Sequence, residues 1–166
     1  MGTAIFYASS TGNTQMIAKE ISKQLGDIPL FDVADEGVSQ LDKYNKVILG
    51  LPTWGDGELQ DDWDDVWNEL KDIDFSNKTV ALFGLGDQED YGYNFVDALG
   101  IAYEELENRA ACIVGKSIVT DDYFYEESRG VVDGSFVGLA LDEDNQESLT
   151  EKRILDWCEV IKKEIL

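Results

Sequence analysis

The chain has 166 residues, 43% of them hydrophobic, with 13 Lys and Arg against 35 Asp and Glu and a formal charge of -22. That length suits a single domain, residues 1–166, around one core, and so negative a field repels nucleic acid and anionic lipid while favouring a basic protein partner. The absence of histidine removes the commonest general base, nucleophile activator and zinc ligand, and the two distant cysteines, Cys112 and Cys158, form no metal or redox motif and are expected as buried free thiols.

Along the chain, short apolar runs alternate with segments of helical period, the pattern of a parallel sheet flanked by crossover helices. The apolar run from Met1 to Tyr7 is too short for an export signal and no stretch approaches a membrane span, so a cytoplasmic protein is expected. Thr3 to Ala8 reads as a first strand, followed by a helix with Ile17, Ala18, Ile21 and Leu25 on its apolar face and Gly26 closing it. Leu30 to Val33 reads as a second strand, Lys46 to Leu51 as a third and Thr79 to Gly84 as a fourth. Between the last two, Trp63, Val66, Trp67 and Leu70 fall at helical spacing with an acidic outer face.

Phe95, Leu99, Ala102 and Leu106 mark a further helix, and Ala111 to Gly115 begins a fifth strand that Phe136 to Leu141 resumes. The segment between, Ser117 to Ser135, is expected as a polar loop inserted into that strand. Thr150 is expected to cap a final helix carrying Ile154, Trp157, Cys158, Ile161 and Ile165. The fold expected is α/β, a three-layer doubly wound domain on a five-stranded parallel sheet.

Ligands of such sheets sit beyond the carboxyl ends of the strands. After strand one, Ser9-Ser10-Thr11-Gly12-Asn13-Thr14 runs straight into a helix. Its hydroxyls, a glycine and unpaired amides suit a phosphate, although ordinary helix capping draws on the same residues. Without the lysine of a P-loop or a GxGxxG turn, neither ATP nor NAD is indicated. After strand three, Pro52-Thr53-Trp54-Gly55-Asp56-Gly57 leaves Trp54 exposed to meet a flat ligand. Positive φ is accessible at Gly55 or Asp56, so two types of tight turn are open there. After strand four, Gly84 to Phe95 offers Tyr91 or Tyr93 as a second aromatic. A phosphate pocket beside two aromatic loops has the composition that FMN requires.

The segments SSTGNT, PTWGDGEL, GLGDQEDYGYNF and FVGLALDEDNQ, in this order and spacing, resemble a long-chain flavodoxin over essentially the whole chain. The resemblance implies strand order 2-1-3-4-5 with FMN at the switch point, an arrangement of which flavodoxin is itself the standard example. It implies that Ser9, Ser10, Thr11, Gly12, Asn13 and Thr14 bind the ribityl phosphate and that Trp54 and Tyr91 flank the isoalloxazine. The turn from Trp54 to Gly57 would lie over N5, Leu85, Gly86 and Asp87 along the ring's polar edge, and Asn94, Phe95 and Asp144 close by. The function implied is that of a low-potential one-electron carrier using the semiquinone/hydroquinone couple, not an enzyme. As a monomer it would dock its acidic face on basic redox enzymes such as a flavodoxin/ferredoxin reductase and a low-potential acceptor.

Two rivals share the fold. A flavin-dependent NAD(P)H quinone reductase or nitroreductase would need a nicotinamide cleft. A response regulator would need paired acids after strand one and an aspartate after strand three, where this chain has Ser9-Ser10 and Pro52-Thr53. The chain departs from the family in opening its phosphate loop with Ser9-Ser10, where many relatives begin with Thr, and in placing Glu89-Asp90 just before Tyr91.

Overall fold

Strands that are almost continuous in Val, Ile, Leu and Phe can be buried on both faces only if helices cover the sheet from both sides. The computed structural model describes residues 2–166; Met1, the first residue of the expected domain and of the N-terminal apolar run, lies outside them. In chain order the first half runs β1 (Thr3–Tyr7), α1 (Asn13–Gln24), β2 (Leu30–Asp32), α2 (Val33–Glu36), a 3-10 turn (Ser39–Lys43), β3 (Lys46–Trp54), β4 (Glu58–Leu59) and α3 (Asp61–Lys71). Then come β5 (Thr79–Leu85), α4 (Asp97–Asn108), β6 (Cys112–Val114), β7 (Ser117–Ile118), β8 (Val131–Val132), β9 (Ser135–Phe136), β10 (Leu139–Leu141) and α5 (Glu147–Ile165).

The parallel sheet has the order β2-β1-β3-β5, with one edge position shared by β6 and β10. Cys112 to Val114 pair with Thr79 to Ala81, and Leu139 to Leu141 pair with Phe83 to Leu85. The edge strand is thus one strand interrupted by the insertion, and the order matches 2-1-3-4-5. Alternation along β1 sends Ile5 and Tyr7 to the face covered by α1 and α5, and Ala4 and Phe6 to the face covered by α3 and α4. Trp63 of α3 and Trp157 of α5 each bury an indole whose N–H donates to a backbone carbonyl, of Gly50 and Gly115 respectively, both at 2.8 Å. No helix among the described residues is long and apolar enough to cross a membrane.

Several local expectations are corrected. Val33 opens α2 instead of ending β2, because the Asp32 side chain accepts the Ala34 amide and caps a helical turn. Phe95 precedes α4, separated from it by Val96 in a left-handed conformation at φ 48°. Thr150 lies inside α5, which starts at Glu147; its hydroxyl donates to Glu143. Cys112 is exposed on the edge strand, whereas Cys158 is buried.

The insertion is not simply polar. β7, β9 and β8 form a small antiparallel sheet, and Tyr123 and Tyr125 turn inward onto Phe95 and Phe136, with Tyr123 and Phe136 centroids 4.8 Å apart. The Tyr123 hydroxyl donates to the Ala140 carbonyl at 2.6 Å, fastening the insertion to β10. Tyrosines two apart share one side of an extended segment, so a stretch rich in acids still contributes an aromatic layer to the core.

Candidate functional site

A cavity of about 420 Å³ lies beyond the carboxyl ends of β1, β3, β5 and β10, at the switch point of the sheet. At one end is the start of α1. Gly12 precedes the helix in a left-handed conformation at φ 94°, and no side chain caps it. The hydroxyls of the preceding loop are therefore not spent on capping, and the amides of the first turn have no partner within the helix. Ser10, Thr11, Asn13 and Thr14 line the cavity here.

Ser9 and Gly12 do not line it. The Ser9 hydroxyl accepts the Gly12 amide at 2.9 Å and shapes the turn, while Gly12 faces an adjacent groove with Met16, Lys19 and Lys23. The Ser10 hydroxyl accepts from the Gln60 side chain at 3.0 Å, and the Gln60 carbonyl oxygen caps α3 by accepting from Asp62 and Trp63. Sequence reasoning missed Gln60. Its position just ahead of the acidic first turn of α3 was the available signal.

The other end is aromatic. Trp54 at the end of β3 and Tyr91 after β5 both line the cavity, 43% and 49% exposed. Tyr93 is more exposed and does not line it, so the choice between the two tyrosines falls to Tyr91. Pro52, Thr53 and Gly55 also face the cavity. The Thr53 hydroxyl accepts the Ala98 amide at 3.0 Å, tying this loop to the start of α4.

Of the two turns open to Trp54–Gly57, the observed one has positive φ at Gly55, +55°, and not at Asp56, as a type II′ turn requires. Asp56 and Gly57 lie outside the lining, and Gly57 packs so closely on α4 that a Cβ there would stand 2.5 Å from the Asp97 carboxylate.

Leu85, Gly86, Asp87 and Asn94 complete the wall from β5, and Asp144 closes it from the loop after β10 together with Glu143, which sequence reasoning missed. Phe95 does not line the cavity: it is fully buried, stacked on Tyr125 with centroids 5.3 Å apart, and lies directly behind the wall. The lining contains no lysine or arginine but has three acids, Asp87, Glu143 and Asp144. Partial loss of hydration, then the neighbouring charges of Asp87, Asp142 and Asp90, push the Asp144 carboxyl above its usual range. Neutral hydroxyl and amide donors at one end, two aromatic faces at the other and acids between them suit a planar ligand with one phosphate. The volume is within the range of ordinary cofactor pockets, about 300–1,000 Å³.

The family model described as "Flavodoxin" matches residues 5–157. The chain is 49% identical to "Flavodoxin 1" of Escherichia coli (strain K12), covering 98% of this chain and 94% of that protein. It is 44% identical to the flavodoxin of Haemophilus influenzae, covering 97% and 94% respectively. Among solved structures, a Fusobacterium nucleatum flavodoxin bound to flavin mononucleotide matches with a TM-score of 0.93 at 39% identity, over 99% of each chain.

Proposed function

The chain belongs to the flavodoxin family, and from that membership we propose that the cavity beyond β1, β3 and β5 holds FMN, with the work of binding divided between its two ends. The protein is an FMN-binding electron carrier and not an enzyme. When bound, FMN supplies the one-electron chemistry. The protein's part is to bind, orient and tune.

Ser10, Thr11, Asn13 and Thr14 bind the phosphate with hydroxyls and first-turn amides, in a turn set by Ser9 and Gly12. Trp54 and Tyr91 hold the ring between them, and Pro52, Thr53 and Gly55 support the Trp54 side. Asp56 and Gly57 complete the turn beside the ring. Leu85, Gly86, Asp87, Asn94 and Asp144 face the ring's polar edge, backed by Phe95. The observation that carries this division is the uncapped start of α1 at one end of a cavity whose other end is walled by two half-exposed aromatics.

Mass spectrometry of the cofactor released from the purified protein tests the reading. FMN is expected, because the cavity offers one phosphate-binding end and one aromatic end, the two parts of a flavin mononucleotide. Release of FAD, or a colourless protein that takes up no FMN, would overturn it.

The charge of -22 supports a basic redox enzyme as the docking partner, a flavodoxin/ferredoxin reductase on the donor side and a low-potential acceptor on the other. The same self-repulsion favours a monomer, and the composition suits the cytoplasm.

A further inference from the structure

We propose that Asp142 is a positioning residue, the buried anchor that holds the ring-edge loop, Gly86 to Tyr91, and the insertion in a single arrangement. The proposal rests on the FMN-site reading above. Asp142 follows β10 directly, is fully buried and does not line the cavity. Its oxygens accept only from amides. Oδ2 accepts from the Gln88 backbone at 3.1 Å, from the Gln88 side chain at 2.9 Å and from the Asn145 side chain at 2.9 Å. Oδ1 accepts from the Asn145 backbone at 3.0 Å and side chain at 3.1 Å.

Both arms of this hub reach functional segments. Asn145 also donates to Asp87 Oδ1 at 2.9 Å, the atom that accepts the Glu89 and Asp90 amides, and the Asp87 carbonyl accepts the Tyr91 amide at 3.0 Å. The turn carrying Tyr91 is thus tied to Asp142 through Asn145. Gln88, itself buried, accepts the Phe124 amide at 2.7 Å and donates to Gln146, whose side chain donates to the Asp122 carbonyl. The insertion is tied to the same carboxylate through Gln88.

Only a group that accepts on both atoms fits this position. The backbone amides of Gln88 and Asn145 sit on different oxygens and cannot be reversed, so an asparagine at 142 sets its own N–H against one of them in either orientation. Rotation of neighbouring side-chain amides cannot relieve that clash.

The test compares Asp142→Asn and the milder Asn145→Ala with the parent. It reads hydrogen exchange on the FMN-free chain, then FMN and riboflavin affinity and residual flavin fluorescence. For Asp142→Asn the amides of residues 87–91 and Phe124 should exchange faster, ahead of those in β3 and β5. Asn145→Ala should release Glu89, Asp90 and Tyr91 and leave Gln88 and Phe124 protected. Both variants should bind FMN and riboflavin more weakly by the same factor, about tenfold for Asp142→Asn, the order expected when a buried donor loses its acceptor. Bound flavin should be brighter in both.

Uniformly faster exchange, with ring binding and quenching equal to the parent in both variants, would overturn the proposal and leave Asp142 a purely structural residue. Tyr91→Ala, run alongside, separates the two levels. If it weakens riboflavin binding while the Asp142 and Asn145 variants do not, only the anchor role fails; if it too has no effect, the ring-site reading fails and the anchor role with it.

Discussion

At the scale of single residues, the two ends of the cavity should be separable by ligand choice. Thr11→Val removes a hydroxyl facing a dianion, and hydrogen bonds to charged groups contribute about 1.5–3 kcal/mol. FMN affinity should therefore fall by a factor on the order of 30 with riboflavin affinity almost unchanged, as fluorescence titration of the FMN-free protein would show. Trp54→Ala and Tyr91→Ala should instead weaken both ligands by about 1 kcal/mol each, the value of an aromatic pair. Equal losses of FMN and riboflavin in Thr11→Val would remove the phosphate role from this loop. Cys158 carries a different kind of test. Burial, with a smaller contribution from Glu20, pushes its thiol up from 9.0 to about 11. The unfolded chain releases that proton first, so this group's contribution is intact below pH 9 and is lost as pH rises towards 11, about 3 kcal/mol in all. Denaturant melts at pH 8 and pH 10.5 should show the fall in the parent and a flatter response in Cys158→Ala, which starts lower because of the cavity it leaves.

At the scale of elements, the joint between α4 and the insertion is unusually tight. A Cβ at Gly100 would stand 2.3 Å from the Arg129 carbonyl oxygen, and on the same stretch the Asp97 carboxylate accepts the Arg129 amide at 2.7 Å. Backbone against backbone cannot yield as a side-chain tip does, so Gly100→Ala should destabilise the protein by about 1–3 kcal/mol. Limited proteolysis should then cut first between residues 117 and 135, since the helix cannot move without lifting the insertion. Unchanged thermal melting and an unchanged cleavage pattern would show that the joint is loose. Tyr123 holds the other side of the insertion. Arg153 lies 4.0 Å above its ring, and burial pushes its phenol up to about 12, so the insertion's attachment adds to the alkaline loss of stability already expected from Cys158.

At the scale of the whole molecule, charge dominates. The side-chain ion pairs found among the described residues, Arg109–Glu105, Arg129–Glu104, Lys152–Asp156 and Lys162–Glu159, lie at the surface, and most acids have no cationic partner. Exposed pairs contribute little, whereas the unpaired excess repels itself and any incoming dianion. Added salt should therefore raise the melting temperature of the FMN-free protein and speed FMN association, with riboflavin association nearly indifferent. Stopped-flow quenching at low and high ionic strength would measure this. A salt response shared by both ligands would mean that salt acts on the fold and not on the approach of the phosphate.

The alternation of elements, the three loops that converge on one end of the sheet and the exposed Trp54 were all legible from the sequence, because apolar period and turn chemistry are local properties. The choice of Tyr91 over Tyr93 came from the family resemblance and not from the residue pattern, since neighbouring aromatics in one loop differ only in which way the folded loop turns them. The inward turn of Tyr123 and Tyr125 was hidden, because the acids on either side of them, Asp121, Asp122, Glu126 and Glu127, dominate any local measure of polarity, while the aromatic surface that buries them, Phe95 and Phe136, is brought from elsewhere in the chain. Phe95 was misplaced for the same reason. Asp142 is the clearest case: in sequence it is one more acid in LDEDNQ, and its distinct role depends on amides from residues 88 and 145 meeting on its two oxygens. The local pattern determined which elements form and where a ligand belongs; contacts between segments far apart in the chain decided which side chains line that place and which hold it in shape.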